Sequence, residues 1–532
     1  MNTILFAISV LFSCTDEEKN SENQKMSTEN QRFNIQNTPP TMQNQKVDHH
    51  KKIAGLSKSE DLQSSWNDDL GVSFEVLHPS KSEVSECGDQ DSDGFFNVEK
   101  CPWLSPSEGD CNDNDPSVTP KSEIWISISP FIMGSESDHA GSDEKPIHVV
   151  FMDGYCLDKY EVRVSDFAQF IRETNRKARG ADLRSMSEAG VIESGRENHP
   201  IEGVTFEEAR DYCSSKGKRL PTEAEFEKAS RGGCELGQDS QKCDRADLRA
   251  YPWGNTAPTC QLANHQLSTE GFPELCVSDT LEVDDSQQPG PYGHFHLSGN
   301  VWEYALDYWH PKVYASKKER KNPAGVKKGT IHVLRGGGWN TFSTNMRAAN
   351  RFHDLVMGSA SGFRCARSNV QLQYDDIEPL ELVLFEGEIQ AGELKTLQGR
   401  AMYVSIFDAD DADEKGMVAP GRSPVAEVKI TPNNKSSQKF EIEVPKGKAY
   451  FISAALDGGS GAQKDNYVSA SGSGGFGRVE KEIVGTENQN NLQIVLQKPP
   501  QMLQKNSNMK PQKYRKPPNH KRSQSIPPSK KR

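Results

Sequence analysis

Apolar and polar positions along this chain follow periods that change several times. At the amino end, "ILFAISVLFSC" (residues 4–14) is an almost unbroken apolar stretch. It has the length of an export signal and falls short of the ~20 residues that a membrane-spanning helix needs. Residues 15–80 lose periodicity and are rich in Ser, Asn, Gln, Lys and Glu. From about Ile124, strand-like runs alternate with turns, and a helix begins near Ser165. "TFEEARDYCSSKGKRLPTEAEFEKASRGG" then holds two helix starts built alike. Thr205 with Glu208, and Thr222 with Glu225, have the spacing of capping boxes, where side chains satisfy amides left open in the first turn. Phe206, Ala209, Tyr212 and Cys213 fall on one helical face. Beyond Ser368 the period shortens to two. "LELVLFEGEIQAG", "AMYVSIFDAD", "VAEVKI", "QKFEIEVPKGKAYFISAALD", "VEKEIV" and "NLQIVL" read as strands separated by Gly, Asn and Asp turns.

The pattern predicts a signal at 1–14, a disordered polar tether at 15–80, an Asp/Cys-rich segment at 81–120, an α+β domain at 124–368, an all-β sandwich domain at 376–497 and a disordered tail at 498–532. Composition agrees: hydrophobic residues are only 34% of the 532, because polar linkers that cannot bury enough surface dilute the folded part. The net charge of −13 hides an asymmetry, since from Lys498 onward there are eleven Lys or Arg and no acid. The rest of the chain is therefore more acidic still and repels nucleic acid, so no nucleic-acid partner is expected. Leu11-Phe12-Ser13-Cys14 resembles a bacterial lipobox, which makes Cys14 the expected lipidation site, although no Lys or Arg precedes it. The expectation is an exported lipoprotein of the bacterial cell envelope, anchored in a membrane.

Ten cysteines remain after Cys14, an even number in an exported chain, where disulfides are the default. Cys234 with Cys243 and Cys260 with Cys276 are close pairs flanking turns. Cys213 and Cys365 would close a long loop. Cys87, Cys101, Cys111 and Cys156 have no assignable pairing. "CGDQDSDGFFNVEKC" alternates Asp89, Asp91 and Asp93 before Gly94, and a second acidic run adds Asp110, Asn112, Asp113 and Asp115. Such loops present several hard oxygens to one calcium ion. Lys100 stands where an EF-hand would need its bidentate Glu. The segment resembles instead the Cys-flanked, Asp-rich repeats of bacterial surface proteins and thrombospondin type 3 repeats, with Asp89, Asp91, Asp93, Asp110, Asn112 and Asp113 as expected calcium ligands.

"MGS", "DKYEV", "HPIEGVTFEEARDYCSSKGKRLPTEAEFEKASRGG", "YPWGN", "SGNVWEYALDYW", "LRGGGWN" and "GFRCARS" follow one another between residues 124 and 368. In that order they resemble the formylglycine-generating enzyme, or sulfatase-modifying factor, superfamily. The resemblance implies a variant of the C-type lectin fold and a long-range disulfide between Cys213 and Cys365. It implies structural calcium at Asn264 and the His265 carbonyl, and at the Gly299 and Val301 carbonyls with the Glu303 carboxylate. At the second set, His296 stands where the family has Asn or Asp, and imidazole suits calcium poorly. Family oxidases hold copper(I) through two cysteines after the Arg-Gly-Gly loop. Here Thr341 and Met346 occupy those places in an ungapped match, and no cysteine lies between Cys276 and Cys365. Copper(I) demands thiolates, so no copper is expected. No catalytic residue is assigned.

Arg335, Trp339, Asn340 and Arg351 are expected to line a cleft for a peptide, protein or glycan of the envelope, since Trp offers apolar area and Arg fixed donors. His294 and His296 form an HxH on a possible strand, with His353 elsewhere, a weak metal signal. The segment "GKAYFISAALDGGSGAQKDNYV" resembles transthyretin-like or carboxypeptidase-regulatory modules, with Asp457 and Asp465 near a turn. These expectations favour a non-catalytic ligand-binding or scaffolding module with structural calcium. The alternative is an atypical metal-dependent oxidase or protein-modifying enzyme, and relatives in pyoverdine maturation act without the cysteine pair.

Overall fold

The computed structural model describes residues 87–496, apart from 180–182, 184, 268–274, 285–286, 317–319, 355–359, 398–400, 412–423, 432, 434, 458–475 and 479–482. The signal with Cys14, the tether, the tail and Asp465 lie outside the described residues. Within them, no helix is long and apolar enough to cross a membrane.

Three helices form where the capping chemistry places them. Helix α1 spans Val164–Glu173, α2 spans Phe206–Ser215 and α3 spans Glu223–Arg231. Both expected capping boxes close, at Thr205/Glu208 and Thr222/Glu225. The apolar face of α2 packs with α1, Trp302, Phe363 and the Cys213–Cys365 disulfide. All nine residues of α3 are buried, including Glu223, Glu225, Glu227, Lys228 and Arg231. A helix that polar survives burial only if each charge finds a partner, and that requirement organises the centre of the domain.

Around the helices the strands are short. The largest sheet runs in the order 352–353, 332–335, 302–308, 323–326 and 373–375, with 361–362 also joining strand 302–308. A three-stranded sheet sets 155–158 between 123–126 and 366–367, and 129–133 pairs with 148–152. The expected boundaries at 124 and 368 therefore need correction. Glu123 already belongs to a core strand, and strand Gln373–Asp375 still pairs with Pro323–Val326. Nor is the Asp-rich segment a separate bead. The Cys111–Cys156 disulfide joins it to the strand Tyr155–Asp158, and Trp125 packs into its small core beside Val98 and Leu104.

Residues 382–496 form strands with two short 3-10 turns, at Gly392–Leu394 and Ala409–Asp411, and no α-helix among the described residues. Strands 437–445, 382–390 and 489–495 make one sheet; 426–430, 401–408, 449–457 and 476–478 make another, with 483–484 added. Period-two burial puts Phe385, Ile442, Val444 and Ile494 of the first sheet in one core with Met402, Val404, Ile452 and Leu456 of the second. Of the expected "VEKEIV" strand, only Ile483–Val484 lies within the described residues as strand.

Candidate functional site

The loop after strand His332–Arg335 depends on its glycines. Gly336 and Gly337 have φ of 88° and 79°, in the left-handed region that glycine tolerates. A Cβ on Gly337 would lie 2.1 Å from the Met346 methyl carbon. The turn is then pinned from both sides. The Trp339 amide donates to the Asn300 carbonyl at 2.8 Å, and the Thr341 hydroxyl bonds the Gly338 amide and carbonyl at 3.0 and 2.9 Å. Ser343–Met346 complete a single 3-10 turn.

This geometry answers what the loop can bind. Thr341 uses its oxygen on Gly338, and Met346 is fully buried against Gly337. All ten cysteines from Cys87 onward are joined as Cys87–Cys101, Cys111–Cys156, Cys213–Cys365, Cys234–Cys243 and Cys260–Cys276. Three of these are the expected pairs; the two that pattern left unassigned fall to the Asp-rich segment. No thiolate pair remains for a soft cuprous ion, and the residues present do not fit one.

The cleft expected from Arg335, Trp339, Asn340 and Arg351 is not formed. All four side chains are buried, Arg335 and Trp339 completely. Arg335 donates to Glu227 at 2.7 Å and to the carbonyls of Ala348, Ala349 and Asn350. Arg351 forks onto Glu223 at 2.7 and 2.8 Å, with its guanidinium 4.4 Å from the Tyr314 ring centre. Glu227 also accepts from the Gly134 amide and the Tyr314 hydroxyl. The arginines are there because α3 buries its carboxylates beneath the loop. The signal was the i, i+4 spacing of Glu223 and Glu227 within the capping-box sequence, which marks one helix face.

Of the two calcium sets that the resemblance implies, one already faces a cation of the chain itself. Both oxygens of Glu303 are taken by Arg364, at 2.6 and 2.7 Å. The charge facing that carboxylate is a guanidinium, so the set does not fit calcium. At the other, the Asn264 Oδ1 is buried without a donor, while the His265 carbonyl accepts the Cys276 amide at 3.0 Å. His294 and His296 lie in irregular backbone rather than on a strand, and His296 has φ of 54°. Burial, with the Arg364 charge behind it, pushes both imidazoles down to about 3. They are neutral core residues.

The Asp-rich segment does assemble. The Asp89, Asp91 and Asp113 carboxylates have oxygens within 4.8 Å of one another, as do those of Asp91, Asp93 and Asp110. Burial raises Asp110 to about 6, against the Asn112 amide that lowers it, and the Asp93, Asp91 and Asp113 charges push the same way as burial.

An aromatic pair escaped the sequence reading. Tyr251 and Trp253, half-buried, stack with ring centres 5.3 Å apart and planes 1° from parallel. They adjoin the loop, since the Ala348 amide donates to the Ala250 carbonyl at 2.8 Å. The signal was "YPWGN", in which aromatic rings flank a proline.

Comparison with known proteins adds four similarities. The family described as sulfatase-modifying factor enzyme 1-like domain matches residues 109–369. The chain is 34% identical over 257 residues to the serine/threonine-protein kinase pkn1 of Chlamydia caviae, covering 46% of this chain and 37% of that protein. It is 29% identical over 296 residues to the formylglycine-generating enzyme of Mus musculus, covering 46% of this chain and 75% of the enzyme. Among solved structures, PvdO from Pseudomonas aeruginosa is similar with a TM-score of 0.35 at 21% identity, covering 46% of this chain and 94% of that one. The chain spans little more than a third of the length of its chlamydial relatives.

Proposed function

Residues 109–369 are a sulfatase-modifying factor enzyme 1-like domain, and on that premise we propose that the chain is an exported, lipid-anchored envelope protein whose domain binds or scaffolds rather than oxidises. The first domain is read as a variant of the C-type lectin fold and the second as a β-sandwich spacer. One observation carries the loss of oxidase chemistry: every cysteine from Cys87 onward is committed to a disulfide, while Thr341 and Met346 occupy the loop. With Arg335 and Arg351 buried, recognition falls to the outer face, where Tyr251 and Trp253 stand beside the loop. Stacked aromatic rings offer flat apolar area to a sugar or a peptide side chain at little entropic cost.

The test is to present the purified chain to envelope glycans and peptides. Specific retention by the chain, reduced at least tenfold by Trp253→Ala without loss of folding, supports the reading. Failure to retain any ligand, or retention indifferent to Trp253→Ala, contradicts it. The alternative, an atypical metal-dependent oxidase, is favoured by the similarity that spans 75% of the murine enzyme.

A further inference from the structure

Three aspartates in the segment closed by the first two disulfides share one geometry. Asp91 Oδ1 accepts the Asp93 amide at 3.3 Å, Asp93 Oδ1 accepts the Phe95 amide at 2.9 Å and Asp110 Oδ1 accepts the Asn112 amide at 2.8 Å. In each the second oxygen, Oδ2, is buried and has no hydrogen-bond donor. These three carboxylates bring ligand oxygens within 4.8 Å of one another, and Asp110 is only 1% exposed. Among the described residues none of the three is paired with Lys or Arg. A buried carboxylate oxygen without a donor is costly, and three carboxylates this close repel as well. Nothing in the fold compels that convergence except the chain's own bracing. Asp89 accepts the Asp93 and Gly94 amides, and Asp113 accepts the Gln90 amide and the Asn97 side chain. These two aspartates are therefore scaffolding, and they hold the loop in the shape that aims the other three inward.

We propose that Asp91, Asp93 and Asp110 bind one hard divalent cation of the calcium class through their Oδ2 oxygens, with Asp89 and Asp113 as positioning residues. All-oxygen, carboxylate-rich coordination is the donor set such ions prefer, and the remaining positions suit carbonyls and water. The ion would join two stretches that are distant in sequence. Asp91 and Asp93 sit in the loop closed by Cys87–Cys101, while Asp110 is on the short strand Gly109–Asp110, next to Cys111 and its bond to Cys156. Binding there fastens the segment leading from the amino-terminal region to the domain. The proposal is independent of the ligand-binding reading above.

The test is calcium titration of the full chain by calorimetry, with melting followed in calcium and in chelator. Wild type should bind calcium with a rise in melting temperature. Asp110→Asn should weaken that binding at least tenfold, remove most of the rise and leave the melting temperature in chelator unchanged or higher, because it relieves crowding. Asp91→Asn with Asp93→Asn, a second variant in a more exposed loop, should do the same. Wild-type affinity in Asp110→Asn, or no calcium-dependent rise in the wild type, overturns the proposal. Equal affinity for magnesium overturns the calcium assignment.

Discussion

Arg351 and Glu223 meet face to face across 128 positions of sequence, the guanidinium Nε and Nη2 donating to the two carboxylate oxygens at 2.7 and 2.8 Å. Both are buried, and both belong to a set of such pairs. Arg364 with Glu303, Arg347 with Glu144 and Arg219 with Glu225 repeat the two-pronged bond. A domain with three helices and few long strands is thus held in part by disulfides and by forks that reach across its interior.

Removing one member of the Arg351–Glu223 pair strips the other of its two-pronged partner in the interior. Among the described residues this leaves Glu223 only the longer ion-pair contact to Arg335 at 3.5 Å, or Arg351 only that to Asp143 at 3.6 Å. Arg351→Ala or Glu223→Ala should each cost about 3–5 kcal/mol in urea unfolding. Replacing both by Met and Leu should cost less than either alone, because no charge is then stranded. Additive losses would show that the two do not act as a pair.

The disulfide set predicts a thiol count. Denatured, unreduced protein should present at most the Cys14 thiol to a thiol reagent, and none if that residue carries lipid. Cys213→Ser with Cys365→Ser opens a loop of 152 residues and should cost on the order of 4–5 kcal/mol by chain entropy. A smaller loss, with all other disulfides intact, would assign the cohesion to the ion pairs.

Gly337→Ala places a Cβ 2.1 Å from the Met346 methyl carbon at a φ of 79°. The conformational cost of about 1–2 kcal/mol is then added to an overpacking cost of about 1–3 kcal/mol. Met346→Ala in the same chain should recover part of the overpacking loss but none of the conformational one.

The buried histidines of the first domain and Glu427 of the second should make folding respond to pH in opposite directions. His294 and His296, near 3, and His353, pushed by burial down to about 4, are neutral in the fold but charge below ~6.5 once unfolded. At these three positions the unfolded state binds more protons, so their contribution to the first domain's stability is lost as pH falls from about 6.5 towards 4. Burial raises Glu427 to about 7, against the Ser405 hydroxyl that lowers it. Here the fold holds the proton, so the second domain loses stability as pH rises from about 4.5 to 7, on the order of 3 kcal/mol in all. Glu427→Gln should flatten that limb while leaving the acid limb of the first domain in place. Chevron or melting curves of the whole chain across pH, read at domain-specific probes, measure both.

Helix starts were legible in sequence because capping boxes are local, and Thr205 and Thr222 act within three residues of themselves. The strands after Ser368 were legible because Met402, Val404 and Ile406 alternate without interruption. The role of Arg335 and Arg351 was not legible. Their partners, Glu227 and Glu223, lie 108 and 128 positions away, and an arginine beside a glycine loop reads alike whether it faces solvent or core. The pairing Cys111–Cys156 escaped because only the approach of strand Tyr155–Asp158 brings Cys156 to Cys111, and with that partner unknown Cys87–Cys101 stayed open too. The Asp-rich segment showed its aspartates in sequence, yet not which oxygens were already engaged by backbone amides.

The most direct test of the central claim is oxygen uptake and aldehyde formation on a cysteine-containing sulfatase peptide, with the purified chain supplied with copper(I) and reductant. The account predicts no aldehyde above the protein-free control and no tight copper binding. Turnover of the peptide thiol to formylglycine, with oxygen consumed in step, would contradict it.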